Sequence, residues 1–352
     1  MAKTAGRPRI GILSFGILGI GLVACSTSGS NPGGTGGSSG PGAAGTTGAA
    51  GTTGAAGTTG SAGTTGSAGT TGSAGTSGNV DAGPGTACTV GPFPAADPMV
   101  AGPFATVTEN NVGPAAGVGA DGGAPVAYTM FRPSDLAQGG LCHPVITWGN
   151  GTGSNPSLYK VLLNHLASHG FVVIASNSPQ VAMGNPPPMV AGVTWVLQQN
   201  DDPTSVLYHR IDTTHIGATG HSQGGFATTT AGADSHITAI APMNGASRQS
   251  NLHGPAFLFC GGADMTVLCS TVMTAYNGIT NQPIMLAEYV TADHVNWITF
   301  RGTAPSNVEA TLTAWMRVHL MGDTALRSWF YGASCKLCTD SGWLIMRKMM
   351  DQ

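Results

Sequence analysis

Charge is scarce in this chain: Asp, Glu, Lys and Arg make up 8% of its 352 residues, and the formal net charge is −3. A nucleic acid or another acidic polymer needs a basic patch to neutralise it, so the composition argues against such a partner. Proline is missing from a long repeat in which glycine recurs at every third position, from Gly42 through Gly78. Without imino acids a collagen-like triple helix is poorly preorganised, and that repeat offers no apolar residue larger than alanine to a core. A flexible stalk with a mean span of about 40 Å is the expected result.

A comfortable membrane span is also missing. Lys3, Arg7 and Arg9 precede an apolar stretch, Ile10 to Val23, that is short and glycine-rich, and Leu22-Val23-Ala24-Cys25 closes it. This pattern reads as an export signal rather than as part of a fold. The closing tetrapeptide resembles the lipobox of bacterial lipoproteins, which implies cleavage before Cys25 and acylation of Cys25. An ordinary secretory signal with a chance cysteine is the alternative. Acyl chains would hold the protein on a membrane surface without spanning it. Ser26 in place of an aspartate leans, by the same resemblance, toward the outer membrane. The expected organisation is a signal peptide over residues 1–24, lipidated Cys25 with the stalk over 25–86, and one domain over 87–352, long enough for a sizeable core. A monomer is expected.

Six cysteines remain beyond Cys25: Cys88, Cys142, Cys260, Cys269, Cys335 and Cys338. An even number in an exported chain predicts disulfides, without fixing their connectivity. Cys335-Lys336-Leu337-Cys338 has the spacing of half a zinc site or a redox pair, but no second ligand pair accompanies it, which favours a structural disulfide.

Over residues 87–352 strands and helices alternate. Strands are predicted over Val126 to Phe131, Pro144 to Trp148, Phe171 to Ala175, His215 to Thr219, Ile237 to Met243, Ala256 to Cys260 and Ile284 to Val290. Helices are predicted over Pro156 to Ser168, about Met189 to Gln199, from Gln223, and about Val308 to Leu320. Apolar strands alternating with helices imply an α/β fold with a doubly wound, mostly parallel sheet. Only about a dozen residues separate Met243 from Ala256, too few for a helical cap, so an open cleft is expected.

Gly220-His221-Ser222-Gln223-Gly224 sits between an apolar strand and a helix. In that context Gly-x-Ser-x-Gly is a nucleophile elbow, a tight turn that lifts a serine hydroxyl clear of the sheet. Asp264, after Gly261-Gly262-Ala263 at the end of a later strand, and His294, after the next one, complete the order Ser, Asp, His. Asp212, Asp234 and Asp293 are weaker candidates for the acid, because a carboxylate at the carboxyl end of a buried strand is where α/β sheets keep their sites. His221 is expected to pack or bond locally, and His165 and His169 to occupy a helix surface or its C-terminal cap. The oxyanion donors expected from position are the backbone N–H of Gln223 and, in the glycine-rich loop after Trp148, that of Asn150, with Gly151 close behind.

With the elbow, Asp264, Ala292-Asp293-His294 and the stretch Leu166 to Ile174 in place, the region from about Gly102 to Met321 resembles the bacterial cutinases and polyester hydrolases, lidless members of the α/β-hydrolase superfamily. The resemblance implies ester hydrolysis through an acyl-serine intermediate, with no metal or organic cofactor. Its nucleophile falls on Ser222, its acid on Asp264, its base on His294, and its oxyanion donors on Gln223 and Asn150. It also implies an aromatic residue at the loop donor and a tryptophan after the strand that follows the elbow helix; this chain has Asn150 and Asn244-Gly245 there. Loss of such a ring removes about 1 kcal/mol of stacking, which lowers affinity for aromatic polyesters without touching the triad. Trp148 and Trp297 are candidates to compensate, with a plain core position, the commoner place of a tryptophan, as the alternative, and Cys260 is a candidate to pair with Cys269. The expected substrate is an ester, and the open cleft admits bulky or polymeric ones. Two rival readings use the same residues: a hydrolase-like surface binding module without chemistry, and a thioesterase or peptidase. The apolar C-terminal segment Trp343 to Met350 is expected to pack on the core, with membrane docking as the alternative.

Overall fold

A computed structural model describes residues 87–116, 126–184, 187–295 and 306–350. Cys25, the stalk and Trp297 lie outside the described residues. Nine strands form one sheet: β1 (Thr106–Ala116), β2 (Val126–Pro133), β3 (His143–Gly149), β4 (Val172–Ser176), β5 (Ile211–His221), β6 (Ile237–Met243), β7 (Ala256–Gly261), β8 (Ile284–Tyr289) and β9 (Trp343–Lys348). Their order across the sheet is β1-β2-β4-β3-β5-β6-β7-β8-β9. The run from β4 to β8 is parallel, while β1, β2 and β9 pair antiparallel at the two margins. This is the mostly parallel α/β-hydrolase sheet expected from the sequence.

The period of two along each strand feeds two cores. In β7, Phe257 and Phe259 point to one face, where they join residues of α1 (Lys160–Ser168) and α5 (Asn307–Leu320). Ala256, Leu258 and Cys260 point to the other, against α2 (Pro188–Asp201), α3 (Gln223–Ala231) and α4 (Cys269–Gly278). Helices on both faces bury most of each central strand, which is why these strands read as apolar runs. Residues 244–255 contain no helix, so no cap rises from the end of β6. The C-terminal segment packs as an edge strand, with Trp343 opposite Tyr289 and Lys348 opposite Ile284.

His169 caps the C-terminus of α1, as expected, but His165 is not on the helix surface: both residues are buried, His165 8% and His169 0% exposed, and their rings bond the carbonyls of Pro98 and Val100 at 3.0 and 3.1 Å. They tie the segment before β1 onto α1, and burial holds His169 down at about 4, so it stays neutral.

Three disulfides join Cys88 to Cys142, Cys260 to Cys269, and Cys335 to Cys338. Such bonds belong to an oxidising compartment, the cell envelope or the outside. Among the described residues no helix is long and apolar enough to cross a membrane. The Cys88–Cys142 bond spans 54 residues and pins the first described segment beside the start of β3. Loop-closure entropy for that length predicts that Cys88→Ser with Cys142→Ser loses about 4 kcal/mol of stability. Urea unfolding of the double variant checks it; a midpoint equal to the native protein's contradicts it.

Candidate active site

β5 carries His221 to the carboxyl edge of the sheet, and Ser222 follows with φ 56° and ψ −118°. Left-handed backbone at a non-glycine residue costs about 1–3 kcal/mol and persists only where the surroundings impose it. Here Ser222 N–H donates to Met243 O at 2.9 Å, and Ser222 O accepts from the N–H groups of Gly225 and Phe226 at 2.9 and 3.2 Å. The turn is tight enough that a Cβ on Gly224 would lie 2.0 Å from Gly149 O. Ser222 is left half-buried, and Gln223 opens α3 with an N–H that has no carbonyl one turn earlier to bond.

His294 lies in the loop after β8. Its Nε2 is 3.0 Å from Ser222 Oγ and its Nδ1 is 2.7 Å from Asp264 Oδ2. Asp264 is 3% exposed, and its Oδ1 accepts from Thr266 N–H at 2.7 Å and Val267 N–H at 2.9 Å. The carboxylate is thereby fixed by two backbone donors on one oxygen and the imidazole on the other. The Cys260–Cys269 bond closes the loop between β7 and α4 that carries Asp264. Cys260 and Cys269 also lie beside Glu288, but with both sulfurs bonded to each other they offer no thiolate to a metal.

The other candidate acids are engaged elsewhere. Asp212 bonds His215 and Asp234 bonds His236, each at 2.7 Å, and Asp293 accepts from Val295 N–H at 3.0 Å. The two loop residues proposed as oxyanion donors also separate. Gly151 N–H donates to Tyr159 OH at 3.0 Å, so it is already engaged.

The Asn150 side chain turns inward. Its Nδ2 donates to Ser176 O at 2.6 Å and Ser178 O at 3.3 Å, while its Oδ1 accepts from Trp148 Nε1 at 3.0 Å. Trp148 is fully buried and packs against Tyr159, so it belongs to the core and does not replace the missing aromatic wall. On the opposite side a Cβ at Gly245 would lie 2.3 Å from Ser222 O, and Asn244 and Ala246 are buried. None of these positions presents a ring to the cleft.

Neither Tyr159 nor Asn244 stands out in the sequence. Tyr159 OH is 3.1 Å from His221 Nδ1, and Asn244 Nδ2 reaches the carbonyls of Asp293 and His294. The only local signal for Asn244 is an Asn-Gly pair directly after a strand, which marks a turn but not a contact with a loop 50 residues away. His221 does bond locally as expected. Burial, together with neighbouring His294, holds it down at about 4, so it adds no charge beside the His294 ring.

Residues 83–341 match the family model described as PETase: PET hydrolase-like. No curated protein matches the chain. The chain therefore belongs to the PET hydrolase-like family and is a carboxylic ester hydrolase of the cutinase type.

Proposed function

We propose that the chain hydrolyses esters through an acyl-serine intermediate on Ser222, with His294 as general base and Asp264 as its orienting carboxylate. The observation that carries this reading is the continuous line Asp264 Oδ2, His294 Nδ1, His294 Nε2, Ser222 Oγ, with spacings of 2.7 and 3.0 Å. As Ser222 Oγ attacks the ester carbonyl, its proton passes to His294 Nε2, and the imidazolium is stabilised by Asp264. The carbonyl oxygen becomes an oxyanion that the N–H groups of Gln223 and Asn150 accommodate. His294 then returns the proton to the departing alcohol. Water, deprotonated by the same nitrogen, attacks the acyl-serine and releases the acid.

The uncapped strand ends favour bulky or polymeric esters, while the inward Asn150 and the ring-free Gly245 argue for weaker binding of aromatic ones. Titrating the protein with a fluorophosphonate tests the reading. Hydrolysis of p-nitrophenyl butyrate is expected to reach zero at one probe per chain; activity that survives saturating probe would contradict it.

The same reading holds the catalytic domain, residues 87–352, at the end of a stalk anchored by acylated Cys25 after removal of residues 1–24, and has it act as a monomer at the outer membrane. Its support is the charge and apolar pattern of the first 25 residues. Cys25→Ala is expected to move the esterase from the membrane fraction to the soluble fraction of a bacterial host with unchanged kcat. Retention in the membrane fraction would refute acyl anchoring.

A further inference from the structure

The His294 ring is fixed by Asp264, but the backbone that carries the ring belongs to no helix or strand. Two side chains from the central strands reach it. His221, the last residue of β5, brings Nε2 to 2.7 Å from His294 O. Asn244, the first residue after β6, donates from Nδ2 to Asp293 O at 3.2 Å and to His294 O at 3.3 Å. Both side chains are buried, 3% and 0% exposed, so neither competes with bulk water for these carbonyls.

We infer that His221 and Asn244 are positioning residues: they grip the carbonyls of Asp293 and His294 and hold the imidazole in line between Ser222 and Asp264. The inference rests on Ser222 acting as the nucleophile. Asn244 is itself fixed by its N–H on Phe259 O at 3.0 Å and by φ of 48°, a left-handed conformation that Asn tolerates better than most residues. Its Oδ1 is buried with no partner among the described residues. An orphaned buried oxygen weakens a fold, so stability alone would be served better by glycine at this position. What Asn244 supplies is the donor.

His221 shows the same logic. Its Nε2–H must face the His294 carbonyl, because a carbonyl can only accept. That tautomer leaves Nδ1 to accept from Tyr159 O–H at 3.1 Å, and Tyr159 O accepts from Gly151 N–H at 3.0 Å. A single run of hydrogen bonds therefore links the loop after β3, where the Asn150 donor lies, to the loop of the base. Neutral His221 is what this run requires, and burial keeps it so.

Three variants test the assignment, assayed on p-nitrophenyl butyrate with active sites counted by fluorophosphonate and with thermal midpoints recorded. Asn244→Gly keeps the left-handed backbone and deletes the donor; His221→Leu fills the space without a donor; His221→Gln restores an N–H near the Nε2 position. Displacing the base by a fraction of an ångström to 1 Å lowers kcat by about 10- to 100-fold. That loss is expected in Asn244→Gly and His221→Leu, with KM changed less than about 3-fold because the substrate contacts persist. His221→Gln is expected to recover most of the loss. Native kcat in Asn244→Gly and His221→Leu, with Ser222→Ala inactive, would overturn the inference and leave the proposed function standing, whatever the midpoints do. A His221→Gln protein as slow as His221→Leu would overturn it for His221. Activity in Ser222→Ala would remove the nucleophile and this inference with it.

Discussion

Ser222→Ala is expected to lower kcat for p-nitrophenyl butyrate by about 10⁶-fold, as loss of the nucleophile does where serine, base and acid act as one unit. The stability change should be small, within about 1 kcal/mol, because the hydroxyl's contribution is one hydrogen bond to His294 at 3.0 Å. The strained backbone at φ 56° stays strained with alanine, so no relief offsets the loss. Activity and folding are thus expected to separate cleanly in this variant. A protein that unfolds at the native urea midpoint yet still turns over ester at a tenth of the native rate would be incompatible with Ser222 as nucleophile. The residual rate, where measurable, reports what substrate binding and the donors of Gln223 and Asn150 achieve without it.

Asp264→Asn should cost about 10⁴-fold in kcat, and the local hydrogen bonds say why. Asp264 Oδ1 accepts from two backbone N–H groups, those of Thr266 and Val267, at 2.7 and 2.9 Å. An asparagine must keep its oxygen toward those donors, because its NH2 group there would leave three sets of N–H facing one another. The amide NH2 is then forced toward His294 Nδ1, 2.7 Å from the present Oδ2. Facing a donor, Nδ1 must become the acceptor, and the ring proton moves to Nε2. A ring protonated at Nε2 cannot take the proton of Ser222. The expected signature is a loss in kcat that recovers partly at high pH, where hydroxide substitutes for the base, with KM little changed. Wild-type kcat in Asp264→Asn would show that the carboxylate does not orient the imidazole.

The fold was legible where burial is symmetrical. β3 through β7 lie between two layers of helices and show as apolar runs, and β6 spans Ile237–Met243 as its sequence indicates. The margins were not. β1 is a polar edge strand, with Thr106, Glu109, Asn110 and Asn111 on its course, and its bulged pairing with β2 has no apolar stripe to announce it. α4 turns only Val272, Ala275 and Tyr276 to the core among serines and threonines, too few to read as a helix. β5 begins at Ile211, four residues before its apolar run, since His143 and Pro144 of β3 pair with Ile211 and Asp212 there.

The site divides in the same way. Ser222 was visible because the elbow needs its glycines at fixed spacing, and Asp264 and His294 because each follows a strand. Asn244 and Tyr159 act over separations of about 50 and 62 residues, which no local pattern encodes. Trp148 lies next to the glycine-rich loop in sequence, yet it takes the commoner place of a tryptophan, the core, because β3 is buried along its whole length.

In the proposed mechanism Ser222 carries the acyl group between the two halves of the reaction. Mixing the enzyme with p-nitrophenyl trimethylacetate, whose hindered acyl group leaves slowly, quenching in acid and mapping the peptides by mass spectrometry tests it directly. One trimethylacetyl group per chain on the peptide containing Ser222, formed with an equal burst of p-nitrophenolate, is the predicted result. Steady hydrolysis with that peptide unmodified, or with the acyl group on another residue, would contradict it.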